Sequence, residues 1–436
     1  MGKIDYSAIY NKNKHGWFDM TEEPEKYEAL LSGHYSDSNH FIYELLQNAE
    51  DEQATKVVFE YYDDKLIFYH NGLPFDEDDV KGVSSMLMGT KDRNSAQTIG
   101  RFGMGFKSVF KYTYQPEIYS DNEAFRIERY LLPVETEKGW DYKSEKELLS
   151  YDLSSGSKYL PFAQAEHLTK IIIPFAKKDY NANIIEVKGD EVLKKLHDLD
   201  IEILLFLTFI KKLYWVDKKS GKHAMISLDE SKEDTNIKTC RIEGSEYGSK
   251  EEIVKYLKFA KKFDHPEMKA ANVSVAYRLN TRSNNINEMY TTNVWVYFPT
   301  KDDTKFPFLI HGSFETAVSR EKLMEPSDFN KDLYVELGKL ICDSLCELRD
   351  RNLITQMFLR KVLLVAMQEN KIPNFKEMIT ETFLKNNLLP DKSGNYRKAE
   401  ELSIAVPFGI ADFMDMSLFA DSFRSIKSFV QFNNEK

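Results

Sequence analysis

Apolar positions recur with helical spacing through HFIYELLQNAEDEQA, which predicts a helix beginning near Ser36 or Ser38, two favourable N-cap residues. The β-rich segments KVVFEYY and KLIFYH follow and are separated by Asp63-Asp64, which predicts a hairpin. A glycine-punctuated loop fills 82–105, ahead of a predicted helix in FGMGFKSVFKYT. The segments PEIYS, FRIERYLLP and LTKIIIPF are typical of strands. This order predicts an α+β fold with helices on one face of a mainly antiparallel sheet.

The remaining chain forms two further regions by pattern. In 181–330, DEVLKKLHDLDIEILLFLTFIKK and EEIVKYLKFAKKF are predicted helices, whereas KLYWVD, HAMISL, KTCRIE, NVSVAYRL and NVWVYFPT are typical of strands. In 331–436, DLYVELGKLICDSLCELRDRNL and FLRKVLLVAMQEN predict helices, and a turn at DKSGN interrupts them. We therefore expect three domains: 1–180 with a polar arm at 1–30, a second α+β domain at 181–330, and a mostly helical region at 331–436.

Composition narrows the class of protein. The 436 residues are 42% hydrophobic and 30% charged, which excludes wholesale disorder. A net charge of −11 argues against a dedicated nucleic-acid binder and leaves a local basic groove open. The 3 cysteines predict no disulfide framework. No signal-peptide core precedes the first domain, and the apolar run at 201–210 is too short to span a membrane, so we expect a cytoplasmic protein.

The first predicted helix carries a row of polar groups. Glu44, Asn48 and Asp51 follow at i, i+4 and i+7, so they share one face. A carboxylate can orient and deprotonate a water molecule, and an amide oxygen one turn later suits Mg²⁺, which prefers oxygen ligands. The alternative is an ordinary solvated face of an amphipathic helix.

Two further segments carry candidate chemistry. The glycines of GRFGMGFKS lead directly into a predicted helix, a pattern that lets backbone N–H groups approach a phosphate. It is not a Walker loop, and no preceding βαβ strand supports a dinucleotide-binding fold. The segment HNGLPF ends an apolar strand, and its alternative interpretation is a simple Asn-Gly turn.

In this order the segments resemble those of the GHKL ATPases, which include gyrase, heat-shock chaperones, histidine kinases and mismatch-repair clamps. The motif residues are most similar to those of the sacsin-type and heat-shock-chaperone branches. ELLQNAED matches the first motif, HNGLPF the second and GRFGMGFKS the glycine-rich lid. Thr169, in LTKIIIPF, matches a threonine that begins an apolar strand, and Lys91 lies where a lid lysine is common. The resemblance implies a Bergerat-type α/β sandwich, for about residues 20–180, that binds ATP and Mg²⁺.

The resemblance also implies individual roles. Glu44 would be the general base that positions the attacking water, Asn48 would hold Mg²⁺, and Thr169 would approach the adenine edge through water. The other implied nucleotide-binding residues are Asp51, His70, Asn71, Gly72, Lys91, Gly100, Arg101, Phe102, Gly103, Met104, Gly105 and Phe106.

One departure concerns the base. The usual second motif is Asp-x-Gly-x-Gly, whose Asp accepts the adenine amino group, whereas this chain has His70 at that position and Pro74 at the second glycine. A neutral imidazole can accept through one nitrogen, and Asn71 can both accept and donate. The sequence therefore supports phosphate and Mg²⁺ binding more directly than adenine selectivity.

A later arginine is similar to one in the same relatives. Arg320, in VSREKL, follows a strand and a turn, as does the middle-domain arginine of heat-shock chaperones that reaches the γ-phosphate. The resemblance implies that Arg320 senses the γ-phosphate across a domain interface. The alternative is a surface arginine in the first turn of a helix.

Together these features predict an ATPase that acts as a nucleotide-driven conformational switch, chaperone-like or associated with bacterial defence. Its partner would be a protein client or an effector subunit, and 1–30 could mediate a homodimer. The alternatives are a nucleotide-gated scaffold with negligible hydrolysis, a nucleic-acid clamp, and a histidine kinase, for which no helical histidine box precedes the ATP-binding region. No membrane partner is expected.

Overall fold

The computed structural model describes most of the chain from residue 4 to residue 401. The described ranges are 4–18, 41–85, 105–136, 140–153, 155–178, 183–231, 236–246, 251–289, 292–317, 320–368, 370–391 and 394–401. They form two compact units. The first lies within Met1–Asp229, Arg241–Ile253 and Asp264–Ala270, and the second within Glu230–Cys240, Val254–Phe263 and Ala271–Lys436.

The first unit combines five α-helices with a sheet, among the residues that the structure describes. The helices are α1 Tyr6–Asn13, α2 Phe41–Asp51, α3 Glu77–Ser84, α4 Tyr142–Leu148 and α5 Asp190–His197. Shorter helical turns are the π-helix Lys14–Phe18 and the 3-10 helices Gly105–Lys111 and Ile201–Leu204. The strands are β1 Lys56–Tyr61, β2 Lys65–His70, β3 Glu117–Ser120, β4 Glu123–Glu128, β5 Leu132–Glu135, β6 Tyr151–Asp152, β7 Lys158–Tyr159, β8 Thr169–Pro174, β9 Ala176–Lys178, β10 Ile184–Glu186, β11 Lys212–Asp217 and β12 His223–Glu230.

The main sheet of this unit has the order β12-β11-β1-β2-β8-β3-β4-β5. The β1–β11 pair is parallel and the other pairs are antiparallel. The predicted β1–β2 hairpin and the strands around it are therefore confirmed, as is the mixed α and β composition. The register places His70 opposite Thr169, and Thr169 opposite Ser120.

Two cores lie on opposite faces of this sheet because strand side chains alternate. On one face, aromatic rings extend from Phe41 of α2 through Tyr112 and Phe175 to Tyr61, with centroid separations of 5.2, 6.0 and 5.8 Å. The other face buries a separate cluster. Its members are Val58, Ile67, Tyr69, Tyr151, Tyr159, Phe162, Leu168, Tyr214 and Val216. The helix with the candidate polar row thus covers only the first face.

The predicted polar arm contains a helix. Tyr6 and Ile9 of α1 are buried, and the Tyr6 hydroxyl donates to Glu123 at 3.0 Å. The Asn13 amide donates to the carbonyls of Ser84 at 3.1 Å and Leu131 at 2.8 Å. The buried side chains and hydrogen bonds of this segment therefore hold it against the first unit.

The second unit also has a sheet, with the order β17-β16-β18-β15-β14. The remaining long strands are β13 Ile237–Glu246, β14 Glu252–His265, β15 Met268–Leu279, β16 Asn293–Val296, β17 Phe298–Asp303 and β18 Leu309–Gly312. The helices are α6 Asp328–Asp350, α7 Leu364–Ala366 with the π-helix Phe358–Leu363 before it, α8 Phe375–Lys385 and the 3-10 helix Ala399–Glu401. Strands β19 Leu389–Pro390 and β20 Tyr396–Arg397 flank the predicted DKSGN turn. No helix in the described ranges is both long and apolar enough to cross a membrane.

Three predictions of secondary structure are wrong. The segment EEIVKYLKFAKKF is strand β14, not a helix; its centre, from Tyr256 to Phe259, is buried on both faces, and its Lys258 and Lys261 pair with Glu230 at 2.8 Å and Glu336 at 2.7 Å. Periodicity cannot separate a doubly buried strand from a buried helix. The predicted long helix after residue 189 ends at His197. The segment that begins at Gly105 is a 3-10 helix, whose Gly105 carbonyl accepts from the Ser108 hydroxyl at 2.6 Å.

Candidate nucleotide-binding site

Helix α2 carries the first motif, and Asn48 differs from its neighbours in solvent exposure. Every residue from Phe41 to Glu50 is buried except Asn48, which is half-buried, as is Asp51. The apolar residues of the helix pack against the sheet because they recur with a period of 3.6. The predicted polar row is therefore not a fully solvated face. Glu44 is only 6% exposed, whereas Asn48, one turn later, is partly accessible to solvent.

The structure brings the first motif and the end of the lid motif into direct contact. An ideal Cβ atom on Gly105 would lie 1.7 Å from Oε2 of Glu44 and 2.4 Å from its carboxyl carbon. A side chain at this position would have to displace the Glu44 carboxylate from where it lies. Phe106 follows and is buried, at 3% exposure. Glu44 and Gly105 thus form one site although 60 residues separate them in sequence.

A second carboxylate of the first motif has a structural role that sequence reasoning missed. Glu50 is buried, and its carboxylate accepts from the backbone N–H groups of Thr208, Phe209 and Ile210, the last two at 2.9 Å. Burial raises the pKa of Glu50, and these hydrogen bonds oppose that rise. The signal available in the sequence was a second acidic residue on the apolar side of the helix.

The second motif lies against the end of α2. Gly72 approaches Glu52 so closely that a Cβ atom would lie 2.5 Å from the Glu52 carbonyl oxygen. The next N–H, of Leu73, donates to that carbonyl at 2.7 Å. The chain then enters α3, whose first turn is capped by Asp76 and Asp79 in a reciprocal capping box. The glycine in HNGLPF is therefore required for close packing as well as for the turn.

The Asn71 side chain uses three of its four hydrogen-bonding positions at the start of strand β1. Its Oδ1 accepts from the N–H groups of Thr55 and Lys56, both at 2.9 Å, and its Nδ2 donates to the Thr55 hydroxyl at 2.9 Å. These contacts bridge the turn between β2 and the start of β1. Asn71 consequently acts as a structural residue of the turn, although the prediction that it binds nucleotide is untested.

His70 is buried at 2% exposure, on the sheet face that also carries Phe68, whose ring centroid lies 5.8 Å away. Its Nδ1 accepts from the N–H of Gly72 at 3.2 Å. Burial lowers the pKa of His70 to about 3, so the ring is neutral at physiological pH. The second motif thus contributes an uncharged imidazole where the resemblance led us to expect a carboxylate.

Thr169 lies in a polar row across three strands with His70 and Ser120. Thr169 is fully buried, and its hydroxyl shares a hydrogen bond of 2.7 Å with the Ser120 hydroxyl. Ser120 also accepts from the N–H of Phe75 at 2.9 Å. The structure therefore brings the predicted Thr169 next to the second motif, and adds Ser120, whose position in PEIYS gave no sign of this role.

Lys107 of the lid motif is buried at 1% exposure and fastens the segment that carries Gly105. Its ammonium group donates to the carbonyls of Val83 and Tyr130, and burial lowers its pKa to about 7. Val83 lies near the end of α3. Lys107 therefore connects the segment before residues 86–104 to the segment after them. Six predicted site residues, Lys91, Gly100, Arg101, Phe102, Gly103 and Met104, lie outside the described residues.

Arg320 belongs to the second unit and lies in a tight turn. Its N–H donates to the carbonyl of Ala317 at 2.8 Å, its φ is 55°, and the N–H of Ala317 donates to Lys322 at 2.9 Å. The neighbouring Glu321 is fixed by Lys301, with a side-chain contact of 2.6 Å. The alternative of a helix N-terminal turn is wrong, because α6 begins only at Asp328. A role at the γ-phosphate stays a prediction.

The comparisons with known proteins define the class. Residues 28–228 match the family model described as Sacsin domain, which covers all three motifs and Thr169. The resemblance to sacsin-type proteins read from the motifs is thereby confirmed: this part of the chain is similar to the Sacsin domain.

The particular relatives are two long proteins. Sacsin of Homo sapiens is 35% identical over 110 residues, which make up 21% of this chain and 2% of Sacsin. Protein NO VEIN of Arabidopsis thaliana is 23% identical over 331 residues, 73% of this chain and 12% of that protein. The chain thus spans a small part of both relatives. Among solved structures, the B-subunit of DNA gyrase from Myxococcus xanthus covers 79% of this chain and 93% of its own, with 11% identity and a TM-score of 0.37.

Proposed function

We propose that the first unit is a Bergerat-type sandwich that binds Mg-ATP and hydrolyses it, and that hydrolysis drives a conformational switch. The observation that carries this proposal is the contact between Gly105 and Glu44. It joins the candidate general base to the segment whose backbone would lie beside the phosphates. The Sacsin-domain match across 28–228 supports the same conclusion.

The residues present fit a nucleotide with a metal ion. The backbone of Gly105 lies directly against the Glu44 carboxylate, and the half-buried Asn48 offers an amide oxygen one turn beyond Glu44. No cluster of three or more acidic, histidine or cysteine ligands occurs within the described ranges, so a protein-only metal cage is not built there. Mg²⁺ commonly takes one or two protein oxygens and completes its shell with phosphate and water, which suits Asn48.

The site has a length that suits a nucleoside triphosphate. Gly105 contacts α2 at Glu44, and Gly72 contacts the chain at Glu52, just after the helix. Eight residues of helix correspond to about 12 Å. The resemblance would place the phosphates at the Glu44 end and the base at the His70 end, with Asn48 between them.

Glu44 is suited to act as the general base. Its carboxylate is nearly excluded from solvent, at 6% exposure, and it is held against Gly105. A carboxylate so placed can orient a water molecule and accept its proton as the water attacks. When bound, Mg²⁺ would neutralise charge on the phosphate oxygens. The resemblance assigns a further positive charge at the γ-phosphate to Arg320, since a guanidinium group stabilises charge that develops in phosphoryl transfer.

The test compares binding and turnover in the full chain. We expect calorimetry with magnesium to detect ATP binding in wild type and in Glu44→Gln, and we expect the substitution to reduce hydrolysis by about 100-fold or more. Absence of nucleotide binding would overturn the proposal. Arg320→Ala should reduce the rate of ATP hydrolysis, and the variant should still bind ATP.

The second candidate function is a nucleotide-gated scaffold without hydrolysis. The buried Glu44 favours turnover, and equal, negligible rates in wild type and Glu44→Gln would favour the scaffold instead. The switch would act on a protein client or an effector subunit, chaperone-like or in bacterial defence, a role suggested by the resemblance alone. Affinity capture with and without a non-hydrolysable ATP analogue tests whether a partner binds in one nucleotide state.

A further inference from the structure

Lys107 connects the end of helix α3 to the turn between β4 and β5. Its ammonium group donates to the carbonyl of Val83, in the last turn of α3, and to the carbonyl of Tyr130 in the β4–β5 turn. The last carbonyls of a helix have no partner within the helix, and a positive charge is favoured at that end. Lys107 satisfies both requirements from a position two residues beyond Gly105.

Asn13 of helix α1 repeats this connection one residue further along both segments. Its amide donates to the carbonyls of Ser84 at 3.1 Å and Leu131 at 2.8 Å. Val83 and Ser84 are consecutive in sequence, as are Tyr130 and Leu131, so two side chains bridge adjacent pairs of carbonyls. We call these four hydrogen bonds the double bridge.

The turn that the double bridge holds has an unusual backbone. Arg129 and Tyr130 both have positive φ values, of 48° and 68°. Residues other than glycine keep this left-handed conformation only where the surrounding structure holds them in it. The Tyr130 ring also packs on Phe110, with a centroid separation of 4.5 Å, and Phe110 belongs to the same 3-10 helix as Lys107. The turn is therefore held against the segment that begins at Gly105 by a hydrogen bond and by a ring contact.

Stability alone does not explain a lysine at this position. Lys107 is 1% exposed, and among the described residues no carboxylate pairs with its ammonium group. Removal of an ammonium group from water is costly, and an apolar side chain of similar length would fill the same space at a lower cost. Such a departure from the usual rules of burial is expected where a residue serves function.

We propose that Lys107 and Asn13 are positioning residues for Glu44. The double bridge fixes the segment that begins at Gly105, and the backbone of Gly105 lies against the Glu44 carboxylate, where a Cβ atom would be 1.7 Å from Oε2. The inference rests on the proposed function, because it assigns both side chains a part in ATP hydrolysis. It also gives helix α1 a role within its own chain.

The test measures hydrolysis and ATP binding separately in variants of the full chain. Lys107→Met keeps the length of the side chain and removes its donors, and Asn13→Ala removes the second connection. We expect kcat to fall about tenfold in Lys107→Met and about threefold in Asn13→Ala, while the dissociation constant for Mg-ATP changes by less than about twofold in both. Asn11→Ala, at an exposed position of the same helix, is the matched control and should hydrolyse ATP as wild type does.

A second measurement shows whether the effect passes through Glu44. Addition of Lys107→Met to Glu44→Gln should lower the residual rate by less than about twofold, because the group that is positioned has already been replaced. A further loss of about tenfold in this double variant would overturn the inference. So would a lower urea midpoint for Lys107→Met with an unchanged kcat, since the double bridge would then serve stability alone.

The results also separate the inference from the proposed function. If wild type hydrolyses ATP and both Lys107→Met and Asn13→Ala keep the wild-type kcat, the inference alone is wrong. If wild type does not bind or does not hydrolyse Mg-ATP, the proposed function fails and the inference fails with it. Should Lys107→Met not fold, as judged by circular dichroism, Asn13→Ala decides by the same two measurements, because it leaves Lys107 in place.

Discussion

The main chain of Gly105 lies against the carboxylate of Glu44, at a separation that leaves no space for a methyl group. The contact joins the helix of the first motif to the segment that follows the lid. A small change at Gly105 should therefore act first on the carboxylate of Glu44, the proposed general base.

Gly105→Ala tests this relationship. A Cβ atom 1.7 Å from Oε2 must displace the Glu44 side chain, because the end of a glutamate moves more easily than the backbone. We expect turnover to fall about 10- to 100-fold, with a smaller loss of ATP affinity. Gly16→Ala is the matched control, since nothing lies within 4 Å of a Cβ atom there. Equal rates in Gly105→Ala and Gly16→Ala would contradict the assignment of Glu44.

Glu50 should stabilise the first unit through the backbone of 208–210. Glu50→Ala leaves three N–H groups without their acceptor, and we expect it to lower the free energy of unfolding by about 2–4 kcal/mol. Glu50→Gln keeps an acceptor oxygen and should lose less than half of that amount. Urea denaturation measures both. A Gln variant as unstable as the Ala variant would show that the charge matters, not the hydrogen bonds.

We expect Asn71 to stabilise the fold and not to bind the nucleotide. Asn71→Asp keeps the acceptor for the Thr55 and Lys56 N–H groups and loses only the donor to the Thr55 hydroxyl, whereas Asn71→Ala loses all three bonds. We expect Asn71→Ala to lower the unfolding free energy by about 1–3 kcal/mol and Asn71→Asp by less. Nucleotide affinity of the folded Asn71→Asp variant, measured by calorimetry, should equal that of wild type. A selective loss of affinity would assign Asn71 to the base pocket.

Mild acid should destabilise the fold through His70. The folded state keeps this ring neutral down to about pH 3, while the unfolded chain takes up a proton near pH 6.5, so unfolding binds a proton between these values. The contribution of the neutral ring to the free energy of unfolding is therefore fully present above about pH 6.5. It falls as the pH drops, by about 2 kcal/mol between pH 7 and pH 5.

The measurement is the pH dependence of thermal unfolding in wild type and His70→Asn. The variant removes this titration while His311, also buried with a pKa lowered to about 3, remains in both proteins. We expect the difference in stability between pH 7 and pH 5 to be smaller in the variant. The same pH dependence in both would mean that the pKa of His70 is not lowered in the folded state.

The amino-acid sequence by itself determined the local parts of this protein. The 3.6 period of ELLQNAED, the hairpin around Asp63-Asp64 and the glycine-rich segment are patterns within a few residues, and each corresponds to a described element or to the Sacsin-domain match. The order of these motifs was enough to predict the class. Such patterns are readable because backbone geometry repeats over a few residues.

The tertiary structure alone decided which of these parts meet. Glu50 accepts hydrogen bonds from the backbone of Thr208–Ile210, about 160 positions away in sequence, and Asn71 binds the start of β1. Segment β14 is a strand because it pairs with its neighbours in the sheet. Its Lys258, which a helix would have exposed, pairs with Glu230. Partners so distant in sequence depend on the packing of the whole sheet, and propensity is a weak guide where packing decides the outcome.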